Sequence, residues 1–361
     1  DRPEDILTAG LYRDTVATGD TLASDTANFG NLPWREVFTD PQLQTLIEQG
    51  LANNTDLQTA ILKVEEAMNA LNFTPDASSQ EASYANTNLL INVNSLTNPF
   101  YGEVLQGVLA SAKAADFCPL IYQEHLSAST ISNFCQLIKN VNAAGVLLLN
   151  QTPLPLLDAI HAFVPVVQCC DYDPDSSISY IGINDFSSAR NAVRHLIASG
   201  RKKIAFLNGP KRFVYAQERQ RGYEKALEES GISLPSGWHI NLPKVDYDIA
   251  YSNACQLLNN ENHPNAFFTS SDILAAAVIR AAKRFGLQVP QDVMVVGFDN
   301  RDISQMMIPS ITTVNQPKFQ LGYGSCDILI NQIRNPGIVT DDSMLLDTEL
   351  IVRESTTLTH I

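Results

Sequence analysis

Ala266-Phe-Phe-Thr-Ser-Ser-Asp-Ile-Leu-Ala-Ala-Ala-Val-Ile-Arg-Ala-Ala-Lys-Arg-Phe-Gly-Leu-Gln-Val-Pro-Gln-Asp-Val-Met-Val-Val-Gly-Phe-Asp-Asn300 is the stretch that decides the fold. Ala266 to Phe268 and Val293 to Val296 are short apolar runs of the kind that form buried strands, while Asp272 to Phe285 carries its apolar residues at helical spacing. Ser271-Asp272 ahead of that helix is a start signal, which gives Asp272 a capping role rather than a ligand contact. Strand, helix and strand in this order make a βαβ unit, and such units imply parallel strands covered on both faces.

The pattern extends in both directions. Leu89 to Val93, Gly145 to Leu149, Val164 to Val167 and Lys203 to Leu207 also read as buried strands. Helices are predicted over Phe100 to Ala115, Ser129 to Val141, Asp185 to Ser199, Ala216 to Ser230 and Phe319 to Gln332. The expected class is therefore α/β with doubly wound parallel sheets, whose ligands sit beyond the carboxyl ends of the strands.

Composition narrows the function. At 361 residues and 45% hydrophobic content the chain can build more than one core. A formal charge of −15 argues against a surface that neutralises many phosphates. The six cysteines, Cys118, Cys135, Cys169, Cys170, Cys255 and Cys326, lack ligand-like spacing and read as reduced core residues. Cys169 and Cys170 could instead be a redox or metal pair, but adjacent strand residues point to opposite faces, which favours the core reading. No GxSxG, HExxH or Walker loop is present, so neither an enzyme, a metal nor a cofactor is expected.

The N-terminal region has a different character. Residues 1 to 30 are polar and without period, an extended arm; Asp40-Pro41 then opens a helix through Leu43, Leu46, Ile47 and Leu51, and a second helix starts near Thr55. No basic-plus-apolar leader and no apolar run of membrane-spanning length occurs, so no membrane insertion is expected.

Three stretches carry a family resemblance. Lys202-Lys-Ile-Ala-Phe-Leu-Asn-Gly-Pro210 with Glu218-Arg-Gln-Arg-Gly-Tyr223 is the first, and Ser270-Ser-Asp-Ile-Leu-Ala-Ala276 with Val295-Val-Gly-Phe-Asp-Asn300 is the second. Ile311-Thr-Thr-Val-Asn-Gln-Pro317 completes the set. In this order they resemble the lactose-repressor (LacI/GalR) family of ligand-controlled transcription regulators. Gly297 to Gln305, Thr312 to Lys318 and Glu349-Leu-Ile-Val-Arg353 are most similar to its cytidine-repressor branch.

The resemblance implies a two-lobed, periplasmic-binding-protein-like (type I) fold over residues 89–361, preceded by a small helical segment. Its N-lobe would hold about 89–182 and 316–345, and its C-lobe about 183–315 and 346–361. It further implies a homodimer and a nucleoside or sugar effector, with a cytoplasmic location for this part. By family position Arg219 would fork onto ligand oxygens and Asp299 would accept from vicinal hydroxyls. Phe100 and Tyr101 follow the first strand where a base or sugar face would stack, and Gln316 and Tyr215 face the cleft. Cys170 stands where relatives carry Asp or Asn, and Val245 or Tyr247 where others place an aromatic.

Upstream, Asn31-Leu-Pro-Trp-Arg-Glu-Val-Phe-Thr-Asp-Pro-Gln-Leu43 and Gly50-Leu-Ala-Asn-Asn-Thr-Asp-Leu57 resemble the mature start of TolC-like outer-membrane efflux channels, which are exported proteins. Lys63-Val-Glu-Glu-Ala67 is the junction of a chimera: 1–62 efflux-like, and 63–88 similar to the last helix and hinge of the repressor headpiece. Residues 1 to 62 hold ten acidic side chains against three basic ones, and no helix able to read a major groove precedes the hinge. DNA binding is thus not expected from this chain. The alternatives are an efflux-system component and a sugar-binding protein without a regulatory role.

Overall fold

The structure is a computed structural model that describes residues 87–233, 236–337 and 343–358. The efflux-like segment, the headpiece remnant and the helices expected before residue 87 lie outside the described residues. The described residues all belong to the compact unit Ser83–Ile361.

The first sheet is built from β1 (Asn88–Val93), β2 (Cys118–Gln123), β3 (Ala143–Leu148), β4 (Val166–Cys169), β5 (Tyr180–Ile183) and, far along the chain, β11 (Met344–Leu346). Its order is β11-β5-β4-β3-β1-β2 and all its pairings are parallel. The second sheet takes β6 (Ile204–Asn208), β7 (His239–Asn241), β8 (Ala266–Thr269), β9 (Met294–Phe298), β10 (Thr312–Asn315) and β12 (Glu349–Ile351), in the order β12-β10-β9-β8-β6-β7. Only β12 is antiparallel, against β10. Both sheets repeat one doubly wound pattern, in which the second strand lies outside the first and the order reverses between the first and third.

The helices cover these sheets in chain order: α1 (Phe100–Ala114), α2 (Ile131–Asn140), α3 (Leu154–His161), α4 (Asp185–Ala198), α5 (Val214–Glu229), α6 (Tyr247–Leu258), α7 (Asp272–Arg284), the short α8 (Asp302–Met306) and α9 (Lys318–Arg334). β1, β3, β6, β8 and β9 are almost wholly buried because helices lie on both faces, which is why their sequences are continuous apolar runs without alternation. β2 is half exposed at a sheet edge and carries no such run.

The chain passes from the first sheet to the second at Asn184, returns at Gln316-Pro317, and passes over again at Asp347-Thr348. Each passage has a local anchor. The Asn184 side chain accepts from Ser187 N at 2.9 Å and starts α4. Lys318 opens α9 with its ammonium buried, where it donates to the Asp299 carbonyl at 2.9 Å and pairs with Glu103 of α1 at 3.2 Å. Ser188 of α4 meets the Thr348 hydroxyl at 2.7 Å.

α1 and α9 cross at two glycines. A methyl group on Gly322 would overlap the Val104 carbonyl, and one on Gly107 would overlap the Phe319 carbonyl, so the backbones touch directly. No helix among the described residues is long and apolar enough to cross a membrane.

Candidate functional site

The carboxyl ends of the strands from both sheets converge on a cleft of about 480 Å³. Phe100, Tyr101, Tyr215, Arg219, Asp299 and Gln316, the six residues expected at a ligand, all line it.

Arg219 is the best-fixed of them. It projects from α5, is 5% exposed, and donates from Nε to Asp185 at 2.7 Å and from Nη1 to the Ser270 carbonyl at 2.8 Å. Its guanidinium plane lies 3.5 Å over the Phe298 ring and 4.8 Å from the Tyr215 ring. Packed this way, it offers its remaining donor edge to the cleft with little entropy left to lose on binding.

Asp299 follows β9 with φ +99°, and Asn300 after it has φ +50°. Two consecutive non-glycine residues in the left-handed region are costly and persist only where neighbours impose them. Here Asp299 N donates to Val314 O at 2.9 Å and Gln316 Nε2 donates to Asp299 Oδ1 at 2.7 Å. Arg353 Nη2 donates to Asn300 Oδ1 at 2.7 Å, and its Nη1 reaches Ser304 Oγ and the Ile311 carbonyl. Three separate sequence motifs, around Asp299, Gln316 and Arg353, thus meet in one loop.

Asp272 does not cap its helix. The cap position of α7 is Ser271, and no side-chain cap bond forms. The Asp272 carboxylate turns instead toward the Asp299 loop, accepting from Thr313 Oγ1 at 2.6 Å and from Arg301 N at 2.7 Å. Burial, reinforced by the charge of Asp299, raises its pKa to about 7. Its role is to pin the loop to α7 from behind the cleft. The start signal marked the helix correctly, but the nearby loop competes for the carboxylate more effectively than the helix's own amides.

The opposite wall comes from the first sheet. Phe100 and Tyr101 sit edge to face, 5.4 Å apart at 83°, and Tyr101 donates its hydroxyl to Asn150 Oδ1 at 3.3 Å. Phe213 stacks on Tyr215 across the way at 5.6 Å, also within the lining. Val245 lines the cleft, whereas Tyr247 packs against Tyr251 outside the lining.

Sequence reading missed Asn150, Asp171, Asp185, Ser270 and Arg301, all of which line the cleft. Asn150 Nδ2, Ser270 Oγ and Arg301 Nε are buried without a hydrogen-bond partner. Donors left unpaired in a closed protein carry a desolvation penalty, and a ligand's oxygens remove it. Asp171 has its pKa raised to about 7, by burial first and then by the charges of Asp185 and Asp299, against the lowering effect of Arg219. The position of Asp171 directly beyond β4 was the available signal, since it is a strand's carboxyl end.

Cys170 also lines the cleft, and its geometry corrects the alternation argument. It lies one residue past β4 with φ +70°, and its Sγ comes within 3.5 Å of the Cys169 Sγ. Period two holds only inside a strand. All six cysteines are free thiols; Cys169 and Cys326 are buried as expected, but Cys118 is exposed at the edge strand β2.

The periplasmic binding protein-like domain family matches residues 193–356. The ribose operon repressor of Escherichia coli (strain K12) is 29% identical over 280 residues, covering 76% of this chain and 84% of the repressor. The HTH-type transcriptional repressor CytR of the same organism is 28% identical over 298 residues, covering 81% and 86%. A crystal structure of an uncharacterized protein from Actinobacillus succinogenes is 32% identical with a TM-score of 0.68, covering 75% of this chain and 100% of that one. Residues 193–356 thus match the periplasmic binding protein-like domain, and over three quarters or more of its length the chain is similar to transcriptional repressors.

Proposed function

We propose that this chain senses a small polyhydroxylated molecule, a nucleoside or a sugar, as the ligand-controlled part of a transcription regulator. The observation that carries the reading is the facing of Arg219 and Asp299 with Phe100 and Tyr101 across one cleft. A rigid guanidinium and a carboxylate supply charge-assisted bonds to hydroxyl and ring oxygens, and the aromatic rings supply a face for a flat or chair-shaped body. The name of the similar ribose operon repressor favours a sugar, and the names of that repressor and CytR favour a regulatory setting.

The same reading makes the protein a cytoplasmic homodimer. It assigns operator binding to no described element, and on sequence grounds residues 1 to 86 do not supply it either.

Thermal stabilisation of the purified chain by nucleosides, purine bases and common sugars tests the proposal, because a ligand that binds only the folded state raises the apparent stability. A response that Arg219→Ala abolishes supports it. A well-folded protein that responds to no member of the panel overturns it.

A further inference from the structure

Within the cleft, donors and acceptors are distributed unevenly. Asn150 Nδ2, beyond β3 of the first sheet, and Ser270 Oγ, beyond β8 of the second, belong to side chains 6% and 3% exposed and have no partner, so each sheet contributes an unpaired donor suited to ring and hydroxyl oxygens. Around Arg219, whose Nη1 also donates to the Ser270 carbonyl, stand three carboxylates: Asp171, Asp185 and Asp299. Asp185 is bound to Arg219, and Asp299 receives Gln316 on one oxygen. The carboxylate of Asp171 accepts no hydrogen bond from any described residue.

The charges around Asp171 do not balance. Asp185 and Asp299 both oppose its ionisation, and the one cation that favours it, Arg219, is already committed to Asp185. The cleft's other cation, Arg301, forms no ion pair among the described residues and leaves its Nε without a partner, but it is not among the charges acting on Asp171. The remaining titratable neighbours, Tyr101 and Tyr215, bring no positive charge. A neutral hydroxyl donated to Asp171 would satisfy an oxygen but add no positive charge to this group of carboxylates. A protonated amine would satisfy both.

We propose that the effector is an amino sugar or amino-substituted nucleoside sugar, with its ammonium against Asp171 and its ring oxygens on Asn150 and Ser270. This rests on the sensing function above and narrows its ligand class. The amine also accounts for an acidic residue in the wall directly beyond β4, next to Cys170.

Matched pairs make the test. Glucosamine against glucose, galactosamine against galactose, 3-amino-3-deoxyglucose against glucose, and 3′-amino-3′-deoxyadenosine against adenosine are titrated by calorimetry at pH 7 into the full chain and into Asp171→Asn. The expected result is one pair in which the amine binds tighter by about tenfold or more, the low end for a desolvated charge pair. That ratio collapses toward one in Asp171→Asn, which should fold normally because the carboxylate makes no bond within the protein. Preference for the parent alcohol in every binding pair, or a ratio that survives Asp171→Asn, overturns the proposal. Binding of an effector from the wider nucleoside and sugar panel with no amine preference overturns it while leaving the sensing function intact. Failure of every compound in both panels overturns both.

Discussion

Arg219 Nε donates to Asp185 Oδ1 at 2.7 Å, and both side chains are about nine-tenths buried. The pair bridges α4, the first element after the Asn184 passage, to α5, and it holds the guanidinium that faces the cleft. Its worth to stability is not its Coulomb energy, since desolvating two charges offsets most of that. What it provides is a fixed direction for the remaining Arg219 donors.

Removing one partner therefore costs more than the bond itself. Arg219→Ala leaves the Asp185 carboxylate buried without its counter-charge and should lower unfolding stability by about 3–5 kcal/mol. Asp185→Asn keeps an acceptor near Arg219 and should lose less, yet weaken ligand binding, because the guanidinium is no longer held. Urea unfolding separates the two effects from a ligand titration. Equal stability loss in both variants would contradict the argument.

The acidic cleft gives stability an unusual pH dependence. Asp171 and Asp272 both have pKa values of about 7 in the folded chain, far above the carboxylate value they regain on unfolding. Between about pH 4 and pH 7 the folded state holds more protons at these two groups, so their contribution is fully present at low pH and is lost as pH rises through that window. His195 and His239, whose pKa values burial lowers, act with the opposite sign below about pH 6.5. The readout is thus the difference between wild type and Asp171→Asn. The variant should gain Tm relative to wild type as pH rises from 5 to 7.5, and a constant difference would exclude Asp171 as a strained carboxyl.

How much of this was legible in the sequence depended on burial. The strands that run unbroken as Leu89 to Val93 or Ala266 to Phe268 were readable because helices cover both their faces. β2 was not, since an edge strand with alternating exposure has no continuous apolar run, and β11 and β12 are each only three residues long. At the site, Arg219, Asp299 and Gln316 were placed by motif. Asp171 and Asn150 were missed because neither lies in a motif, and their importance arises only when strand ends from one sheet meet. The opposite-faces argument for Cys169 and Cys170 does not apply for a sharper reason: Cys170 leaves the strand in a left-handed conformation, which periodicity has no means to foresee, although both remain free thiols.

The glycine crossing between α1 and α9 predicts a packing defect at residues that do not themselves line the cleft. Gly322→Ala would push a methyl group into the Val104 carbonyl, a backbone atom that cannot swing aside. Overpacking of this kind should cost about 1–3 kcal/mol. Gly102→Ala, on the same helix α1 but with open space around it, is the control and should be neutral or slightly stabilising through helix propensity. Equal Tm values for the two variants would show that the helices separate at little cost.

Arg353 offers the last and most specific prediction, because it touches no ligand-lining surface yet braces the loop that does. Its guanidinium holds Asn300 Oδ1 at 2.7 Å, Ser304 Oγ at 3.0 Å and the Ile311 carbonyl at 2.9 Å. Asn300 and Asp299 occupy backbone conformations that relax unless they are held. Arg353→Met keeps the aliphatic stem and removes the three bonds, each of the charge-assisted kind worth about 1.5–3 kcal/mol singly and not additive. The expected result is a folded protein of lowered Tm whose ligand affinity falls by more than Gln316→Ala alone causes, since Gln316 fixes one Asp299 oxygen while Arg353 ties the Asn300 side chain to Ser304 and the Ile311 carbonyl. Restoring the donors with Arg353→Lys should recover little, as an ammonium cannot span three acceptors with the geometry of a planar fork. Wild-type affinity in Arg353→Met would mean that Lys318, Gln316 and Asp272 suffice to hold Asp299 in place.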